Sequence, residues 1–159
     1  MIKLKIIALG KLKEDYLKLA SKEYEKRLSS YCDLEIIELT PKRLSDKPSL
    51  AEIENALLEE ADMIINKIPK GSKIFATCIE GKQITSEDFA DEIKECSNNG
   101  ESIVFIIGSS YGLCEKIKNL ANKKMSVSKM TFPHQLFRIM LLEQIYRGFK
   151  INEGGAYHK

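Results

Sequence analysis

The stretch that decides the fold runs from Lys124 to Lys159 and reads KMSVSKMTFPHQLFRIMLLEQIYRGFKINEGGAYHK. A short β-prone piece at Met125–Val127 comes first, followed by a hydroxyl-rich turn. Pro133 suits the first turn of a helix, where a missing N–H costs nothing, and Thr131 is placed to cap exposed amides. The stretch therefore predicts a strand, a turn, a helix and a polar tail, in that order.

Apolar residues between Gln135 and Lys150 cover more than one face of this predicted helix. They are Phe137, Met140, Leu141 and Ile145 on one stripe, and Leu136, Ile139, Leu142, Tyr146 and Phe149 around the circumference. One stripe is enough to dock a helix on a sheet, so the surplus indicates burial on two sides, by the sheet and by a second subunit. A central helix within one domain gives the same pattern. We expect a homodimer, with the central-helix alternative open.

Upstream of this stretch, buried strands alternate with amphipathic helices. The pattern predicts strands at 2–9, 34–39, 73–79 and 103–107, and helices at 13–31, 49–68 and 85–97. Thr85 and Asp88 form a capping-box signature, and Glu80 to Lys82 are expected to turn the chain. Because the strands are too far apart for hairpins, we expect an α/β fold, a mostly parallel sheet covered by helices on both faces, in a single domain over residues 1–159.

The distribution of charged residues along the chain indicates which classes of partner the protein can bind. Residues 1–50 carry 11 Lys and Arg against 8 Asp and Glu, residues 51–122 carry 7 against 13, and residues 123–159 carry 7 against 2. Basic ends fit a phosphate-rich partner, although solvated lysines give the same counts. The opening run MIKLKIIALG is too short for a signal sequence or a membrane span, so we expect a cytoplasmic protein with no membrane contact.

The four cysteines, Cys32, Cys78, Cys96 and Cys114, are far apart and form no CxxC pair. This spacing fits neither a zinc site nor a disulfide framework, so we expect free thiols and no metal.

Ligands of parallel sheets bind beyond the carboxyl ends of the strands, so the loops after Ile79, Ile107 and Val127 are the expected binding region. The second loop reads GSSYG from Gly108, and its glycines allow backbone to approach a ligand closely. It matches neither GxGxxG nor GxxxxGK[ST], and an ordinary tight turn is the alternative. With Val127–Phe132 it can hold an uncharged heterocycle through backbone hydrogen bonds and apolar contact.

The motifs GSSYG, SVSKMTFPHQLFRIMLLEQIYRGFKI and the terminal AYHK closely resemble the ribosomal RNA large subunit methyltransferase H family, small members of the SPOUT methyltransferases. The resemblance covers essentially the whole chain. It implies an enzyme that uses S-adenosylmethionine to methylate N3 of a pseudouridine in a stem-loop of 23S ribosomal RNA, on assembled ribosomes. It also implies a homodimer with a C-terminal deep trefoil knot that forms the cofactor site.

Site residues follow from the resemblance by position. The cofactor segments match Thr77, Gly108, Val127, Ser128, Lys129, Met130, Thr131 and Phe132, and the substrate side matches His134, Arg138, Arg147, Tyr157, His158 and Lys159. Ser109 stands where many members have a second glycine, and Thr77 stands where relatives often have leucine. We expect both departures to be tolerated because the backbone groups are unchanged.

The AYHK tail motivates a mechanism in which His158 takes part in removing the N3 proton. Arg147 and Lys159 then hold phosphate or stabilise the developing anion, and Tyr157 stacks on or hydrogen-bonds the nucleotide. Two alternatives are simpler: Arg147 lies four residues after Glu143 and suits a helix ion pair, and His134 suits a structural role at a helix start.

Two other functions remain open at this stage. One is a SPOUT methyltransferase that acts on another RNA, such as tRNA, and the other is a non-catalytic dimeric ribosome-binding factor. The small size of the chain, with no separate RNA-binding domain, favours a target presented by a large preformed surface.

Overall fold

A five-stranded parallel sheet with helices on both faces forms the computed structural model, which describes residues 1–159 throughout. The strands are β1 (Ile2–Leu9), β2 (Cys32–Leu39), β3 (Lys73–Gln83), β4 (Ile103–Ile107) and β5 (Lys123–Ser126). The helices are α1 (Asp15–Leu28), α2 (Leu50–Ile65), α3 (Ser86–Asn99), α4 (Glu115–Leu120) and α5 (His134–Asn152). The strand order is β2-β1-β4-β3-β5 and all four pairings are parallel. The predicted fold class is confirmed.

Each face of the sheet has its own apolar core, because successive side chains of a strand point to opposite faces. On one face, Ile6 and Phe105 pack with buried residues of α1, α3 and α5, among them Leu28, Phe89 and Leu142. On the other, Ile7 and Ile106 pack with Ile64 of α2 and Ile117 of α4. The central strands are therefore buried on both sides, which explains the nearly continuous apolar sequence of β1 and β4.

The helix starts agree with the sequence in one case and differ in another. At α3 the capping box is present: Thr85 Oγ1 accepts from Asp88 N at 3.0 Å, and Asp88 Oδ2 accepts from Thr85 N at 3.2 Å. At α5 the prediction was wrong, because Pro133 is the N-cap residue rather than part of the first turn, and no side chain caps the helix. Thr131 therefore has no capping role.

Two further corrections concern β3 and α4. Glu80 to Lys82 do not turn the chain, because β3 continues through them to Gln83 with an irregular pairing to β5 between Thr77 and Lys82. A glycine is needed in this segment, since a Cβ on Gly81 would lie 2.5 Å from the carbonyl carbon of Met125. The sequence reading missed α4 because its six residues bury only Ile117 and show no period.

Helix α5 is largely enclosed within its own chain. It packs between α1 and α3 on the sheet, and Leu141, Leu142 and Ile145 are buried there. Much of its apolar surface is thus explained by the central-helix alternative, while Leu136, near its start, stays 39 % exposed. The homodimer and the trefoil threading remain predictions. None of the helices combines the length and the hydropathy needed to cross a lipid bilayer.

Candidate active site

The carboxyl ends of β3, β4 and β5 meet in one cavity of about 750 Å³. The predicted loops after Ile107 and Val127 contribute to it, as does Glu80, which continues β3 after Ile79 rather than starting a loop. Pro133, His134 and Phe137 at the start of α5 also line it. Of the residues assigned to the cofactor, those that line the cavity are Thr77, Gly108, Val127, Ser128, Met130, Thr131 and Phe132. Lys129 is exposed and does not line it.

A tight turn after β4 forms one wall of the cavity. Gly112 N donates to the carbonyl oxygen of Ser109 at 2.9 Å, and Gly112 has a φ of 83°, which disfavours any residue with a side chain. A Cβ on Gly108 would lie 2.5 Å from the carbonyl oxygen of Gly112. A ligand at this wall therefore meets backbone at Gly108.

The side chain of Ser109 points away from the close contact between Gly108 and Gly112. Its hydroxyl donates to Glu60 Oε1 at 3.3 Å, and its backbone φ is not positive. The position that is often glycine in the resembling family thus tolerates serine here without backbone strain.

The opposite wall is the hydroxyl-rich turn after β5. Ser126 Oγ donates to the carbonyl oxygen of Ser128 at 2.8 Å, and Met130 N donates to Ser128 Oγ at 3.0 Å. Thr77 Oγ1 is also engaged, donating to the carbonyl oxygen of Ile106 at 2.7 Å. The side-chain hydroxyls of these residues therefore shape the walls. Backbone groups and apolar surface are what the walls can offer a ligand.

The cavity has an ion pair at its edge and no exposed thiolate. The hydrogen bond from Lys118 holds the pKa of Glu80 below its ordinary value. Burial, helped by the charge of Glu80, raises the pKa of the Cys78 thiol, so Cys78 stays protonated at neutral pH. The edge of the cavity therefore carries one ion pair, between Glu80 and Lys118.

His134 lies where this cavity meets a second, smaller one, and it lines both. Burial lowers its pKa, and the positive charges of Arg138 and Lys13 lower it further. The imidazole is therefore neutral at pH 7, with one nitrogen free to accept a proton or a hydrogen bond.

Arg138 lies inside the protein rather than on a cavity wall, with 3 % of its surface exposed. Its Nη1 donates to Glu38 Oε2 at 2.7 Å and its Nη2 donates to the carbonyl oxygen of Gly10 at 2.9 Å. The side chain thus ties α5 to the ends of β1 and β2.

The C-terminal tail folds back on the second half of α5. Arg147 donates to Glu143 Oε1 through Nε at 3.1 Å and through Nη2 at 2.8 Å, and Tyr157 donates its hydroxyl to the same oxygen at 3.1 Å. Burial, then the hydrogen bond to Glu143, raises the pKa of Tyr157 to about 12, so the phenol stays protonated. The Arg147 guanidinium also lies 4.8 Å from the centre of the Tyr157 ring. The i, i+4 ion pair expected as the simpler reading of Arg147 is present.

His158 bridges this cluster to the start of α3. Its Nδ1 lies 3.1 Å from Arg147 Nη1, which can only donate, so Nδ1 is the acceptor. The proton then resides on Nε2, which donates to Glu87 Oε1 at 2.6 Å. Lys159 is exposed beyond it.

The tail contacts the middle and the second half of α5, at Glu143 and Arg147, whereas the cavity lies at the start of the helix. Thirteen residues separate His134 from Arg147, which is about 20 Å along a helix. Neither Arg147 nor any residue of the tail lines the cavity. Within one chain, the residues assigned to the cofactor, except Lys129, therefore lie around one cavity with His134. The residues assigned to catalysis lie outside that cavity, in the tail and on the second half of α5.

Comparison with known proteins matches this architecture to one family. The family model described as "Predicted SPOUT methyltransferase" matches residues 2–158. The chain belongs to the SPOUT methyltransferase family. Proteins named ribosomal RNA large subunit methyltransferase H are similar to it over nearly their whole length. The protein of Clostridium botulinum strain Okra is 53 % identical over 156 residues, 97 % of this chain and 98 % of the relative, and that of Clostridium tetani strain Massachusetts is 49 % identical over 155 residues, with the same coverage.

Sequence reasoning missed one buried acid near the cavity of this SPOUT methyltransferase. Glu60 of α2 is only 4 % exposed and receives the Ser109 hydrogen bond. A signal was present, because Glu60 follows Ala56 by four residues and Leu57 by three, which places it on the inward face of the helix.

In the same SPOUT methyltransferase, no group of three or more His, Cys, Asp or Glu side chains is arranged to hold a metal ion.

Proposed function

We propose that this SPOUT methyltransferase transfers a methyl group from S-adenosylmethionine to N3 of a pseudouridine in a stem-loop of 23S ribosomal RNA, acting as a homodimer on assembled ribosomes in the cytoplasm. The observation that carries the proposal is the glycine-lined cavity at the ends of β3, β4 and β5, in a chain about half identical to relatives named for large-subunit ribosomal RNA methylation.

The residues of the cavity fit S-adenosylmethionine. The cavity volume of about 750 Å³ suits a ligand of the size of S-adenosylmethionine, and Gly108 lines the cavity without a side chain. Apolar walls from Ile107, Val127 and Phe132 suit an adenine ring. Thr77, Gly108 and the run Val127–Phe132 would hold the cofactor, which supplies a methyl group already activated on a sulfonium.

The protein must position the base and deal with the proton on N3, which leaves before or during methyl transfer. We assign proton removal to His158. Because its Nδ1 accepts from Arg147 in the single chain, the tail must release that contact before Nδ1 can take a proton. The same release frees Nη1 of Arg147, and we assign to Arg147 and to the exposed Lys159 the binding of phosphate or the stabilisation of the anion.

The two assigned residues at the start of α5 take supporting roles. Arg138 fixes α5 against Gly10, and a Cβ on Gly10 would lie 3.6 Å from His134 Nε2. Arg138 is thus a positioning residue for His134, which stands neutral at the junction of the two cavities.

A second copy of the chain would supply a tail to the cavity, which no residue of the chain's own tail lines. We infer that the tail of one subunit completes the cofactor cavity of the other. Exposed apolar side chains around the cavity favour this interface, since such patches mark contact surfaces. They are Ile79, Tyr111, Val127, Met130 and Leu136.

The test is methyl transfer from labelled S-adenosylmethionine to intact ribosomes, separated subunits and bare ribosomal RNA, all taken from a strain that lacks this gene, with the product mapped by mass spectrometry. We expect methylated pseudouridine with assembled ribosomes only. Transfer to tRNA instead would show that the proposed substrate is wrong. Cofactor binding with no transfer to any RNA would indicate a non-catalytic ribosome-binding factor.

A further inference from the structure

The second cavity, of about 230 Å³, adjoins the cofactor cavity and is large enough for one nucleobase. The two cavities share the residues Ser109, Ser110, Tyr111 and His134. The remaining walls come from the end of β1, the inner face of α2 and the loop 41–48, which no role described so far uses. A group bound here lies directly beside the expected position of the methyl donor.

Glu60 gives this cavity an unusual chemical character. Its carboxylate is buried, with 4 % of the residue exposed, yet its hydrogen-bond donors are both uncharged. They are the backbone N–H of Lys42, 2.9 Å from Oε2, and the Ser109 hydroxyl, 3.3 Å from Oε1. The neighbouring Glu59, in contrast, pairs with Lys42 Nζ at the surface.

A buried carboxylate is costly unless its oxygens are satisfied, and it has about four acceptor positions. Two donors leave about half of that capacity unused in the wall of a cavity. A ligand that offers an N–H to Glu60 would therefore be favoured over one that offers none.

We propose that this cavity receives the target base and that Glu60 accepts the N1–H that pseudouridine has and uridine lacks. The inference rests on the proposed function and adds the residue that reads the substrate. In uridine, N1 is bonded to the ribose, so the carboxylate would be left without its donor. In pseudouridine the ribose is on C5, so N1–H is free while N3 of the same ring remains available to the methyl donor.

The surroundings of Glu60 suit a base carried by RNA. The Tyr111 ring is 49 % exposed between the two cavities, where it can stack on a base. Arg43 and Lys47 in the loop 41–48 are exposed and can meet phosphates. Because Lys42 N donates to Glu60, the position of this loop is coupled to the carboxylate.

The test compares kcat/KM for methyl transfer on ribosomes that carry pseudouridine or uridine at the target position. They are prepared from strains that lack this methyltransferase, with and without the enzyme that makes that pseudouridine. The variants are Glu60→Gln, which keeps the shape and a weaker acceptor, and Glu60→Met, which has no acceptor. Glu59→Gln is the matched control, since it removes the neighbouring surface charge and leaves Glu60 intact. The affinity for S-adenosylmethionine is measured in parallel by calorimetry.

We expect the wild type and Glu59→Gln to prefer pseudouridine by about 10- to 100-fold, the range for a hydrogen bond to a charged group. Glu60→Gln should lose part of that preference and Glu60→Met nearly all of it, through slower transfer to pseudouridine with little change on uridine.

Four results would overturn the inference. Equal losses on both ribosomes would make Glu60 a support of the fold, and a matching loss of cofactor affinity would assign the cavity to the cofactor. A wild type that transfers without preference would overturn this inference alone, whereas a wild type that transfers to neither ribosome would overturn the proposed function as well.

Discussion

Gly108 is the residue on which the cofactor cavity depends most directly. In Gly108→Ala the new methyl group would lie 2.5 Å from the Gly112 carbonyl oxygen and 3.0 Å from Leu113 Cγ, so the turn must move. Overpacking of this kind costs about 1–3 kcal/mol. We expect affinity for S-adenosylmethionine to fall by about tenfold or more in a calorimetric titration.

Gly155→Ala serves as the control, because its methyl group would meet mainly the flexible end of the Lys150 side chain, at 3.2 Å. Its cofactor affinity should equal that of the wild type. Unchanged affinity in Gly108→Ala would place the cofactor away from this turn.

His134 makes a pH-dependent contribution to stability. Burial lowers its pKa in the folded state, so the unfolded chain binds the proton more readily. The contribution is complete above the ordinary histidine pKa of about 6.5 and is lost as the pH falls below it. When the pH is lowered from 7.5 to 5.5, the free energy of unfolding should therefore fall less in His134→Gln than in the wild type. Urea unfolding at the two pH values measures this difference.

Carboxylates such as Glu80, whose pKa is lowered, also lose stabilising contacts in acid. They do so in both proteins, so the comparison isolates His134. An identical fall in stability in the two proteins would contradict the buried, neutral imidazole.

At the residue scale, the sequence predicted what local chemistry dictates. GSSYG after an apolar run indicated a strand-end turn, and the Thr85 capping box followed from side-chain spacing alone. The hydrogen-bond partners of Arg138 and Glu60 could not be predicted because they are distant in sequence, Gly10 and Glu38 for the first and Lys42 and Ser109 for the second.

At the scale of elements, α3 and α5 pack tightly against each other at Gly148. A methyl group there would lie 2.9 Å from Ile93 Cδ1 and 3.5 Å from Ala90 Cα. Because Ile93 is buried, its side chain has little room to yield, and Gly148→Ala should lower the free energy of unfolding by about 1–3 kcal/mol.

A second substitution checks this account. Ile93→Val deletes Cδ1, the atom that clashes, and alone costs about 0.5–1.5 kcal/mol. The double variant should lose less free energy of unfolding than the sum of the losses in the two single variants, because the clash between the Gly148→Ala methyl group and Ile93 Cδ1 is gone. Strict additivity in urea unfolding would show that the helices do not meet as described.

The errors in the predicted elements have a common cause. Periodicity identifies an element only when it is long or regular enough to repeat. The six residues of α4 are too few to repeat, and the extension of β3 beyond Ile79 is stabilised by pairing with β5, more than forty residues later in the chain. Long elements such as α2 and α5 were located to within a few residues.

At the scale of the whole molecule, parallel topology explains why three segments far apart in sequence form one cavity. The carboxyl ends of β3, β4 and β5 lie at the same edge of the sheet, and the start of α5 closes it. This was predictable from strand and helix alternation. The docking of the tail on α5 and α3 was not, because it depends on side chains such as Glu143 and Glu87 whose partners no pattern reveals.

Because the tail lies away from the cavity of its own chain, the proposed function depends on an active site that two subunits share. In a dimer with shared sites, a chain defective in the cofactor turn and a chain defective in the tail can still form one intact site between them. We would mix Gly108→Ala with His158→Ala, dissociate and reassociate the subunits, and measure methyl transfer to ribosomes at an S-adenosylmethionine concentration well below the weakened affinity of Gly108→Ala, where neither variant alone is active.

Random reassociation of equal amounts gives half heterodimers, each with one intact site of two, so we predict recovery of about a quarter of wild-type activity. His158→Ala alone should retain cofactor binding, which confirms that its defect lies in the tail. Mixed subunits that form heterodimers but remain inactive would show that each chain builds its own site, and would contradict the account.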